Sequence, residues 1–393
     1  MNKTLRFFSG RMGQWKRLSA AFRNEDRNNP PLWVHCASLG EFEQGRPIME
    51  AYRQKYPGKK ILLTFFSPSG YEICKNTPQA DHVFYLPLDT PRNARKFLDL
   101  VRPVAAIFVK YEFWYFYLTA LKKRNIPTYL VSARFRPDQP FFKKYGAPFR
   151  RMLRCFDHLF VQDGRSLDLL ASLSKMPLPV TMTGDTRFDR VVSVAASDNT
   201  PELFKELVRE PVLIAGSTWP RDEEILEHWA GEFPEWQLVI APHELHPSHL
   251  SSIARLFAKW DPVFFSAATK GRQPKILVID TIGILSSLYR YGTVCYIGGG
   301  FNPSGIHNTL EAAVYGKPLL FGPNYEKFGE ACDLVSLGAA ISFRDRKTCL
   351  EAIRPWIEDP SLREKAGKAG RNYVLKNTGA TRLILEKMAA RVQ

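Results

Sequence analysis

The sequence predicts an α/β protein with two Rossmann-like domains, each built on a mainly parallel sheet. Short apolar runs of strand length alternate with helical stretches along the whole chain, which is typical of βαβ units. The pattern restarts after a polar, turn-rich tract at 195–201, and 393 residues exceed the usual size of one domain. We therefore expect an N-terminal domain over 1–194, a linker over 195–201 and a C-terminal domain over 202–393.

The first half contains seven predicted strands, which are short, apolar and rich in β-branched or aromatic residues. They cover 32–38, 59–66, 82–87, 104–109, 128–131, 158–161 and 180–183. The first strand leads into a predicted helix, and Pro47 fits poorly in a helix interior, so we expect that helix to begin close to Arg46. Glu41 is then expected in a loop or irregular turn at the carboxyl end of a strand, where open parallel sheets bind ligands.

The second half repeats the pattern with five predicted strands. They cover 212–215, 237–241, 276–279, 294–297 and 318–321. The last segment, 361–391, is predicted to be helical, and the sequence leaves open its return onto the first domain. Two similar halves indicate two α/β domains that face each other across a cleft.

A glycine-rich stretch at 298–311 follows the predicted strand 294–297 and precedes a predicted capped helix. Glycines allow backbone N–H groups to approach a phosphate closely, and a helix N-terminus adds unpaired donors. An ordinary strand-to-helix turn explains the glycines equally well, but the polar residues beside them favour an anion site. The candidate residues are Gly299, Gly300, Gly305, His307, Asn308 and Glu311, with Glu311 expected to contact ribose hydroxyls.

The formal net charge of +16 predicts an anionic partner, either nucleic acid, an acidic membrane surface or a phosphorylated substrate. Charge that serves solubility alone remains an alternative. We expect no nucleic acid, because the sequence has neither zinc-finger spacing nor an aromatic RNA-binding signature nor a continuous basic stripe. P-loop and serine-hydrolase motifs are also missing.

No metal site is expected. The six cysteines are scattered without a C-x-x-C pair, which indicates reduced thiols. His243, His246 and His249 form one cluster, but Pro242 and Pro247 interrupt it and no carboxylate or cysteine set completes it.

The segment 1–27 is basic and carries apolar residues at roughly helical spacing. Such a helix can lie on an anionic membrane surface, and packing against its own domain is an equal alternative. The apolar residues are Leu5, Phe7, Phe8, Met12, Trp15, Leu18 and Phe22. The sequence contains no run of about twenty apolar residues that could span a bilayer.

Three carboxylates follow predicted strands, namely Glu41, Glu112 and Glu311. Glu112 lies among large aromatic residues, where burial would make it a stronger base, although it could equally be a structural carboxylate that caps backbone donors. Arg187 offers a planar fork for a carboxylate or phosphate, and an ion pair with Asp185 or Asp189 is the simpler alternative.

Taken together, five stretches strongly resemble the 3-deoxy-D-manno-octulosonic acid (Kdo) transferases of lipid A assembly. The stretches follow the family's order along nearly the whole chain. They are 35–42, 111–114, 184–189, 216–218 and 298–311. The resemblance implies the two-domain GT-B fold, CMP-Kdo as the donor substrate and a phosphorylated lipid A precursor as the acceptor. It also implies an inverting, metal-independent reaction with no cofactor.

The resemblance also implies roles for individual residues. Glu41 matches the family's proposed general base, and Glu112 matches its second essential carboxylate. Ser38, Gly40 and Arg187 are the expected contacts to anionic substrate groups. The expected CMP site consists of Ser217, Thr218, Pro242, His243, Gly299, Gly300, Gly305, His307, Asn308 and Glu311.

This chain departs from the family pattern at several positions, which affects the donor contacts more than the reaction. The departures are His243 for the usual arginine, Arg221 for a glycine, Ser69 where some members have arginine, Arg187 for lysine and Ile306 for a second glycine. Many members carry an N-terminal membrane helix, so its lack here predicts peripheral attachment at the cytoplasmic face of the inner membrane.

Two other functions remain open at this stage. One is a GT-B enzyme that uses a UDP-sugar, and the other is a non-catalytic binder of anionic lipid with the same fold. The presence of both Glu41 and Glu112 favours an enzyme over a binder.

Overall fold

The computed structural model describes residues 10–23, 25–173, 177–389 and 391. Its contacts divide the chain into two compact units, one running to Arg190 with the segment from Asn377 onwards, the other spanning Val191–Lys376. The sequence analysis placed the division at 195–201. A helix at Thr186–Ala196 covers the start of that tract, so its small residues continue a helix where a linker was expected.

The first unit alternates strands and helices as the periodicity predicts. Its strands are β1 Leu32–Cys36, β2 Ile61–Phe65, β3 His82–Tyr85, β4 Ala105–Val109, β5 Thr128–Ala133, β6 His158–Val161 and β7 Val180–Met182. Its helices before the division are α1 Gln14–Phe22, α2 Leu39–Lys55, α3 Pro68–Cys74, α4 Pro91–Val101, α5 Tyr115–Lys123, α6 Ala147–Leu153 and α7 Gly164–Ala171, and the next helix, α8 Thr186–Ala196, contains the division.

The seven strands form one parallel sheet in the order β3-β2-β1-β4-β5-β6-β7. The chain therefore builds outward from β1 in one direction and from β4 in the other. The point between β1 and β4 is the topological switch point, at which open α/β sheets bind their ligands. His35 of β1 pairs in register with Phe108 of β4 at this point.

Helix α2 corrects the expectation that a regular helix begins near Arg46. The helix begins at Leu39, so Glu41 lies in its first turn and Pro47 lies inside it. A buried apolar face that includes Phe42, Ile48 and Met49 packs on the sheet. This packing offsets the hydrogen bond that Pro47 cannot donate, which local propensity alone could not predict.

Helix α1 partly decides between the two alternatives for the basic N-terminal segment, which were packing on its own domain and lying on a membrane. Leu18 and Phe22 are buried in the core of the first unit, and Trp15 packs against the same cluster. The apolar face of α1 is therefore used by its own domain, while Lys16 and Arg17 stay exposed. Leu5, Phe7 and Phe8 lie outside the described residues.

The last helix, α17 (Ala380–Ala389), packs within the first unit. Ile384, Leu385 and Met388 join the same core as the face of α2. Asp189 fixes the start of this helix by accepting hydrogen bonds from the backbone N–H groups of Gly379 (2.6 Å) and Thr381 (2.7 Å). A carboxylate at a helix N-terminus stabilises the otherwise unpaired donors there.

The second unit also alternates strands and helices. Its strands are β8 Val212–Thr218, β9 Gln237–Pro242, β10 Val263–Phe264, β11 Ile276–Val278, β12 Val294–Ile297, β13 Leu319–Phe321 and β14 Ala340–Ser342. Its helices are α9 Glu202–Leu207, α10 Pro220–Glu232, α11 Pro247–Leu256, α12 Leu285–Leu288, α13 Leu310–Ala313, α14 Gly329–Ser336, α15 Arg346–Glu358 and α16 Pro360–Lys376.

Its sheet is again parallel, in the order β10-β11-β9-β8-β12-β13-β14, so the switch point lies between β8 and β12. The predicted α/β class with two parallel sheets is thus confirmed. Strands β10 and β14, which are two and three residues long, were not predicted. Among the described helices, none is both long and apolar enough to cross a bilayer.

Candidate active site

Glu41 and Glu112 both lie at the switch point of the first sheet. Glu41 follows β1 and Glu112 follows β4, and these strands are neighbours in the sheet. The last residue of β1 is the buried Cys36. Burial raises the pKa of its thiol well above the ordinary range, and the negative charges of Glu41 and Glu112 raise it further. Both carboxylates therefore lie around the carboxyl end of β1, Glu41 in the helix that follows it and Glu112 in the loop after the neighbouring β4.

Glu41 is half-buried in the first turn of α2. The hydroxyl of Ser38, the residue that precedes this helix, donates a hydrogen bond to Oε2 of Glu41. Gly40 is exposed beside it. Among the described residues, Oε1 of Glu41 has no hydrogen-bond partner, so this oxygen is available to a ligand.

Glu112 is buried, and its Oε2 atom is held by side chains. Trp114 donates its Nε1–H to Oε2 at 2.6 Å, and Nε2 of the fully buried His35 lies 3.1 Å from the same oxygen. Oε1 accepts no hydrogen bond from the part of the chain that the structure describes. Glu112 is therefore not a cap for backbone donors, which was one alternative from the sequence, but a carboxylate oriented by two side chains.

Arg187 has the partner that the simpler alternative proposed. Its guanidinium lies 2.8 Å from Oδ2 of Asp185, and its Nε–H donates to the same oxygen at 2.9 Å. Gln44 and Gln162 also donate to the Asp185 carboxylate. Because Asp185 is buried, this ion pair is part of the packing of α8, and Arg187 is not a fork turned freely towards a ligand.

The predicted donor residues of the second unit gather at the carboxyl edge of its sheet. Thr218 ends β8, Pro242 ends β9 and is followed by His243, and the glycine loop (298–305) follows β12. These three strands are adjacent, with β8 in the middle. Ser217 has a φ of 56°, which is strained for a residue other than glycine, and such strain concentrates at functional sites.

Asp222 is the residue that joins β8 to β12, and sequence analysis missed it. Its Oδ2 accepts the backbone N–H groups of Trp219 and Gly299, each at 2.9 Å, and its Oδ1 accepts the hydroxyl of Tyr296 at 2.5 Å. Asp222 is fully buried, and burial raises the pKa of its carboxyl while these three donors oppose the rise. The N–H of Gly299 is thus occupied by Asp222 and is not a donor for a phosphate.

Other positions of the glycine loop are built for close approach. A Cβ atom at Gly300 would lie 2.5 Å from the backbone N of Gly322, so only glycine fits between these two turns. Gly305 has a φ of 84°, a conformation that favours glycine. The loop therefore needs its glycines for its own packing, whether or not a phosphate binds.

Asn308 and Glu311 lie beyond the loop, at a helix that is a single turn long. Asn308 accepts from the N–H of Leu310 at 3.2 Å and donates its side-chain amide to Glu311 Oε1 at 3.0 Å. Within the described residues, the backbone N–H groups of Asn308 and Thr309 donate no hydrogen bond. These two groups, rather than that of Gly299, are therefore the candidate backbone donors to an anion, and Asn308 is half-buried while Thr309 is buried.

Three rings stack beside the glycine loop. His243 stacks on Trp219 with ring centroids 4.9 Å apart, and on His307 with centroids 4.3 Å apart. Trp219 donates its Nε1–H to Nε2 of His307 at 3.1 Å, so that nitrogen is unprotonated. Burial, with a smaller contribution from His243, lowers the pKa of His307 to about 4, and burial also lowers the pKa of His243. At neutral pH the stack is therefore uncharged.

The histidine cluster singled out from the sequence is divided among different tasks. His249 bonds to the buried Glu223 at 2.9 Å, and Glu223 in turn accepts from the Thr218 hydroxyl. His246 accepts from the N–H of Ser248 at the start of α11. In the described part of the chain, no group of three or more histidine, cysteine or acidic side chains is arranged to hold a metal ion.

The residues missed by sequence analysis share a property. His35, Asp222 and Tyr296 are buried, and their partners lie 77, 77 and 74 positions away along the chain. One local signal was present, because Pro220 and Asp222 are typical of a helix start. Arg221, which departs from the family pattern, is exposed and pairs with Glu224 on the same helix.

We predict that replacing Asp222 by alanine destabilises the protein by about 2–4 kcal/mol, because three buried donors lose their acceptor. Asp222→Asn retains an acceptor oxygen for the two backbone N–H groups, so its cost is expected to be smaller. Chemical denaturation measures both. The matched control is Glu224→Ala, two positions along on the exposed side of α10, which is expected to cost less than about 0.5 kcal/mol. Equal stability of all three variants would contradict the role of Asp222.

We predict a pH-dependent stability that originates in His307. Its folded-state pKa of about 4 lies below the ordinary value, so the unfolded chain binds a proton that the folded chain does not. Above about pH 6.5 the imidazole is neutral in both states, so its titration does not lower the free energy of unfolding. As the pH falls towards 4, protonation of the unfolded chain lowers that free energy. His307→Gln is therefore expected to reduce the acid-induced loss of unfolding free energy between pH 7 and pH 4, by about 2 kcal/mol. His228→Gln serves as the control, and parallel stability curves for wild type and His307→Gln would refute the assignment.

The first unit matches a family model described as 3-deoxy-D-manno-octulosonic-acid transferase, over residues 8–190. The 3-deoxy-D-manno-octulosonic acid transferase of Haemophilus influenzae is 28% identical over 374 residues, which are 91% of this chain and 86% of that protein. The transferase of the same name from Aquifex aeolicus is 27% identical over 346 residues, covering 81% of this chain and 83% of that protein.

Solved structures share the fold. The UDP-GlcNAc 2-epimerase of Neisseria meningitidis, bound to UDP-GlcNAc, aligns with a TM-score of 0.65 and 17% identity, covering 92% of this chain and 100% of that one. MurG of Acinetobacter baumannii aligns with a TM-score of 0.55 and 13% identity, covering 92% and 99%. These likenesses show the GT-B type of fold alone. The family match and the related transferases confirm the resemblance, and they identify this protein as a glycosyltransferase related to the Kdo transferases.

Proposed function

We propose that this protein transfers Kdo from CMP-Kdo to a phosphorylated lipid A precursor in lipopolysaccharide core biosynthesis. In this proposal the reaction inverts the anomeric centre, requires no metal or cofactor, and takes place at the cytoplasmic face of the inner membrane. The observation that carries the proposal is the pair of carboxylates, Glu41 and Glu112, at the switch point of the first sheet.

Glu41 is suited to the role of general base. It is partly accessible, and its Oε1 atom is unoccupied within the described residues, whereas Oε2 is held by Ser38. In the proposed step, Glu41 takes the proton of an acceptor hydroxyl as its oxygen forms a bond to the anomeric carbon. The bond from that carbon to the phosphate oxygen breaks, and CMP leaves with the electron pair. A positioned base typically contributes a factor of about 10²–10⁴ to such a rate.

Glu112 is suited to a different role. It is buried, and Trp114 and His35 fix one of its oxygens. A carboxylate held in this way can accept a hydrogen bond from a sugar hydroxyl in a defined direction, which orients the acceptor. We therefore assign proton removal to Glu41 and acceptor orientation to Glu112.

The second unit supports the donor part of the proposal. The backbone N–H groups of Asn308 and Thr309 donate no hydrogen bond within the described residues, and they are the proposed contacts to the phosphate of CMP. Glu311, whose Oε1 accepts from the side-chain amide of Asn308 at 3.0 Å, is the proposed contact to the ribose. The uncharged rings of His243 and Trp219 offer flat surfaces beside the glycine loop. Ser217, Thr218, Pro242, Gly300, Gly305 and His307 complete the proposed donor half by shaping its backbone.

We predict that Glu41→Gln lowers kcat for Kdo transfer by a factor of about 10²–10⁴, because the amide cannot take the proton. Glu41→Gln keeps the size of the side chain and its acceptor for Ser38, so the stability is expected to stay close to that of the wild type. The matched control is Glu43→Gln, two positions further along α2, where Glu43 faces Arg46 at 3.9 Å. Transfer from CMP-Kdo to a purified acceptor is measured for all three proteins, and full activity of Glu41→Gln would remove Glu41 from the base role.

Attachment to an anionic membrane is part of the same proposal, with a modified basis. Leu18 and Phe22 of α1 pack in the first unit, so these apolar side chains are not presented to a membrane, whereas Met12, which precedes the helix, is exposed. Lys16 and Arg17 are exposed on α1. The net charge of +16 supports attraction to anionic lipid in general.

We predict that the double charge reversal Lys16→Glu with Arg17→Glu weakens binding to phosphatidylglycerol vesicles by about tenfold or more at low salt, since each basic residue near the surface contributes about 1 kcal/mol. Co-sedimentation with phosphatidylglycerol and with phosphatidylcholine vesicles measures the effect. A charge-matched control reverses Lys347 and Lys365, both exposed in the second unit. If the control pair weakens binding as much as the α1 pair, the proposed role of α1 is wrong.

A further inference from the structure

Four polar side chains of the first unit form a continuous buried chain, which we name the β1 polar chain: Trp33, Thr64, His35 and Glu112. Trp33 Nε1 lies 2.8 Å from Thr64 Oγ1, which lies 2.8 Å from His35 Nδ1. His35 Nε2 lies 3.1 Å from Glu112 Oε2. Trp33, His35 and Thr64 are fully buried, so none of them can contact a substrate. Burying polar groups costs free energy unless each is hydrogen-bonded, and each of these four side chains has at least one hydrogen-bond partner.

The bond directions along the β1 polar chain follow from what each atom can do. An ionised carboxylate only accepts, so the proton between His35 and Glu112 belongs to Nε2 of His35. The indole of Trp33 only donates, so Thr64 Oγ1 accepts from it. Within the described residues the hydroxyl of Thr64 has one further neighbour, Nδ1 of His35, and it donates there. His35 is therefore neutral, with its proton on Nε2.

We propose that His35 is a positioning residue for Glu112 and that Thr64 acts through it by setting its tautomer. This inference rests on the function proposed above. His35 and Trp114 together fix Oε2 of Glu112, which leaves Oε1 as the oxygen for the proposed contact to the acceptor. The hydrogen bond between His35 and Glu112 joins the end of β1 to the loop after β4, so it also spans the switch point of the sheet.

The other neutral tautomer of His35, with its proton on Nδ1, would replace the attraction between His35 and Glu112 by repulsion. With its proton on Nδ1, His35 would present a bare nitrogen lone pair to Glu112, and two acceptors repel each other. Thr64 excludes that tautomer only as long as its hydroxyl is a donor to Nδ1. The hydroxyl of Thr64, which is linked to Glu112 by two successive hydrogen bonds through His35, therefore controls the orientation of Glu112.

Thr64→Val tests this inference, because valine has the same shape and no hydroxyl. Loss of kcat by about 10–100-fold is expected, with little change in KM for CMP-Kdo, since partners that orient a functional group typically contribute this much to activity. Thr64→Ser restores the hydroxyl and is expected to recover kcat to within about threefold of the wild type. His35→Gln keeps an N–H near the position of Nε2 and is expected to be less impaired than His35→Leu.

The matched control is Thr128→Val on the neighbouring part of the same sheet. Thr128 is also fully buried on a strand, but its hydroxyl donates to the backbone carbonyl of Ile126 and not to the β1 polar chain. Thr128→Val is expected to lose stability without losing kcat. If Thr64→Val keeps the wild-type kcat, or if Thr128→Val loses as much kcat as Thr64→Val, the positioning role is wrong.

A spectroscopic measurement separates this inference from the proposed function. In protein labelled with ¹⁵N-histidine, long-range ¹H–¹⁵N correlation is expected to show His35 with a protonated Nε2 and an unprotonated Nδ1 at neutral pH. His35→Gln assigns the signal among the eight histidines. A protonated Nδ1 would overturn the inference even in an active enzyme. If the wild type transfers no Kdo, the proposed function fails, and the tautomer alone then decides the hydrogen-bond assignment.

Discussion

The constraint on which this structure depends is a buried carboxylate at the switch point of each parallel sheet. In the first unit Glu112 joins the loop after β4 to His35 of β1, and in the second unit Asp222 joins the start of α10 to Gly299 after β12. Parallel strands on either side of a switch point diverge into connections on opposite faces, which leaves a crevice. A carboxylate that accepts hydrogen bonds from both sides ties the two connections together, and its burial makes these bonds costly to break.

The two carboxylates lead to different chemistry because their surroundings differ. Asp222 uses both oxygens within the protein, so it is a structural bridge that shapes the glycine loop. Glu112 has one oxygen held and the other unoccupied within the described residues, so it both shapes the crevice and presents an acceptor. Glu41, half-buried in the first turn of α2 at the same switch point, is the proposed proton acceptor for group transfer.

Much of the fold could be predicted from the sequence, because apolar strands of four to seven residues carry a clear periodic signal. The strand ends placed Glu112, Thr218 and Gly299 correctly at the carboxyl ends of central strands, whereas Glu41, expected in a loop or irregular turn, lies in the first turn of α2. The start of α2 could not be predicted, since the packing of Phe42 and Ile48 outweighs the local effect of Pro47. The bridges of His35 and Asp222 could not be predicted either, because each joins residues 77 positions apart and no local pattern records such a contact.

The proposed reaction moves Kdo from CMP-Kdo to a lipid A precursor. Mass spectrometry of the product tests it most directly, with purified protein, a defined tetra-acylated disaccharide bisphosphate acceptor, and either CMP-Kdo or a UDP-sugar as the donor. We expect an acceptor heavier by the mass of transferred Kdo with CMP-Kdo and an unchanged acceptor with the UDP-sugar. An acceptor that stays unmodified with CMP-Kdo, or that gains the sugar of the UDP donor, would contradict it.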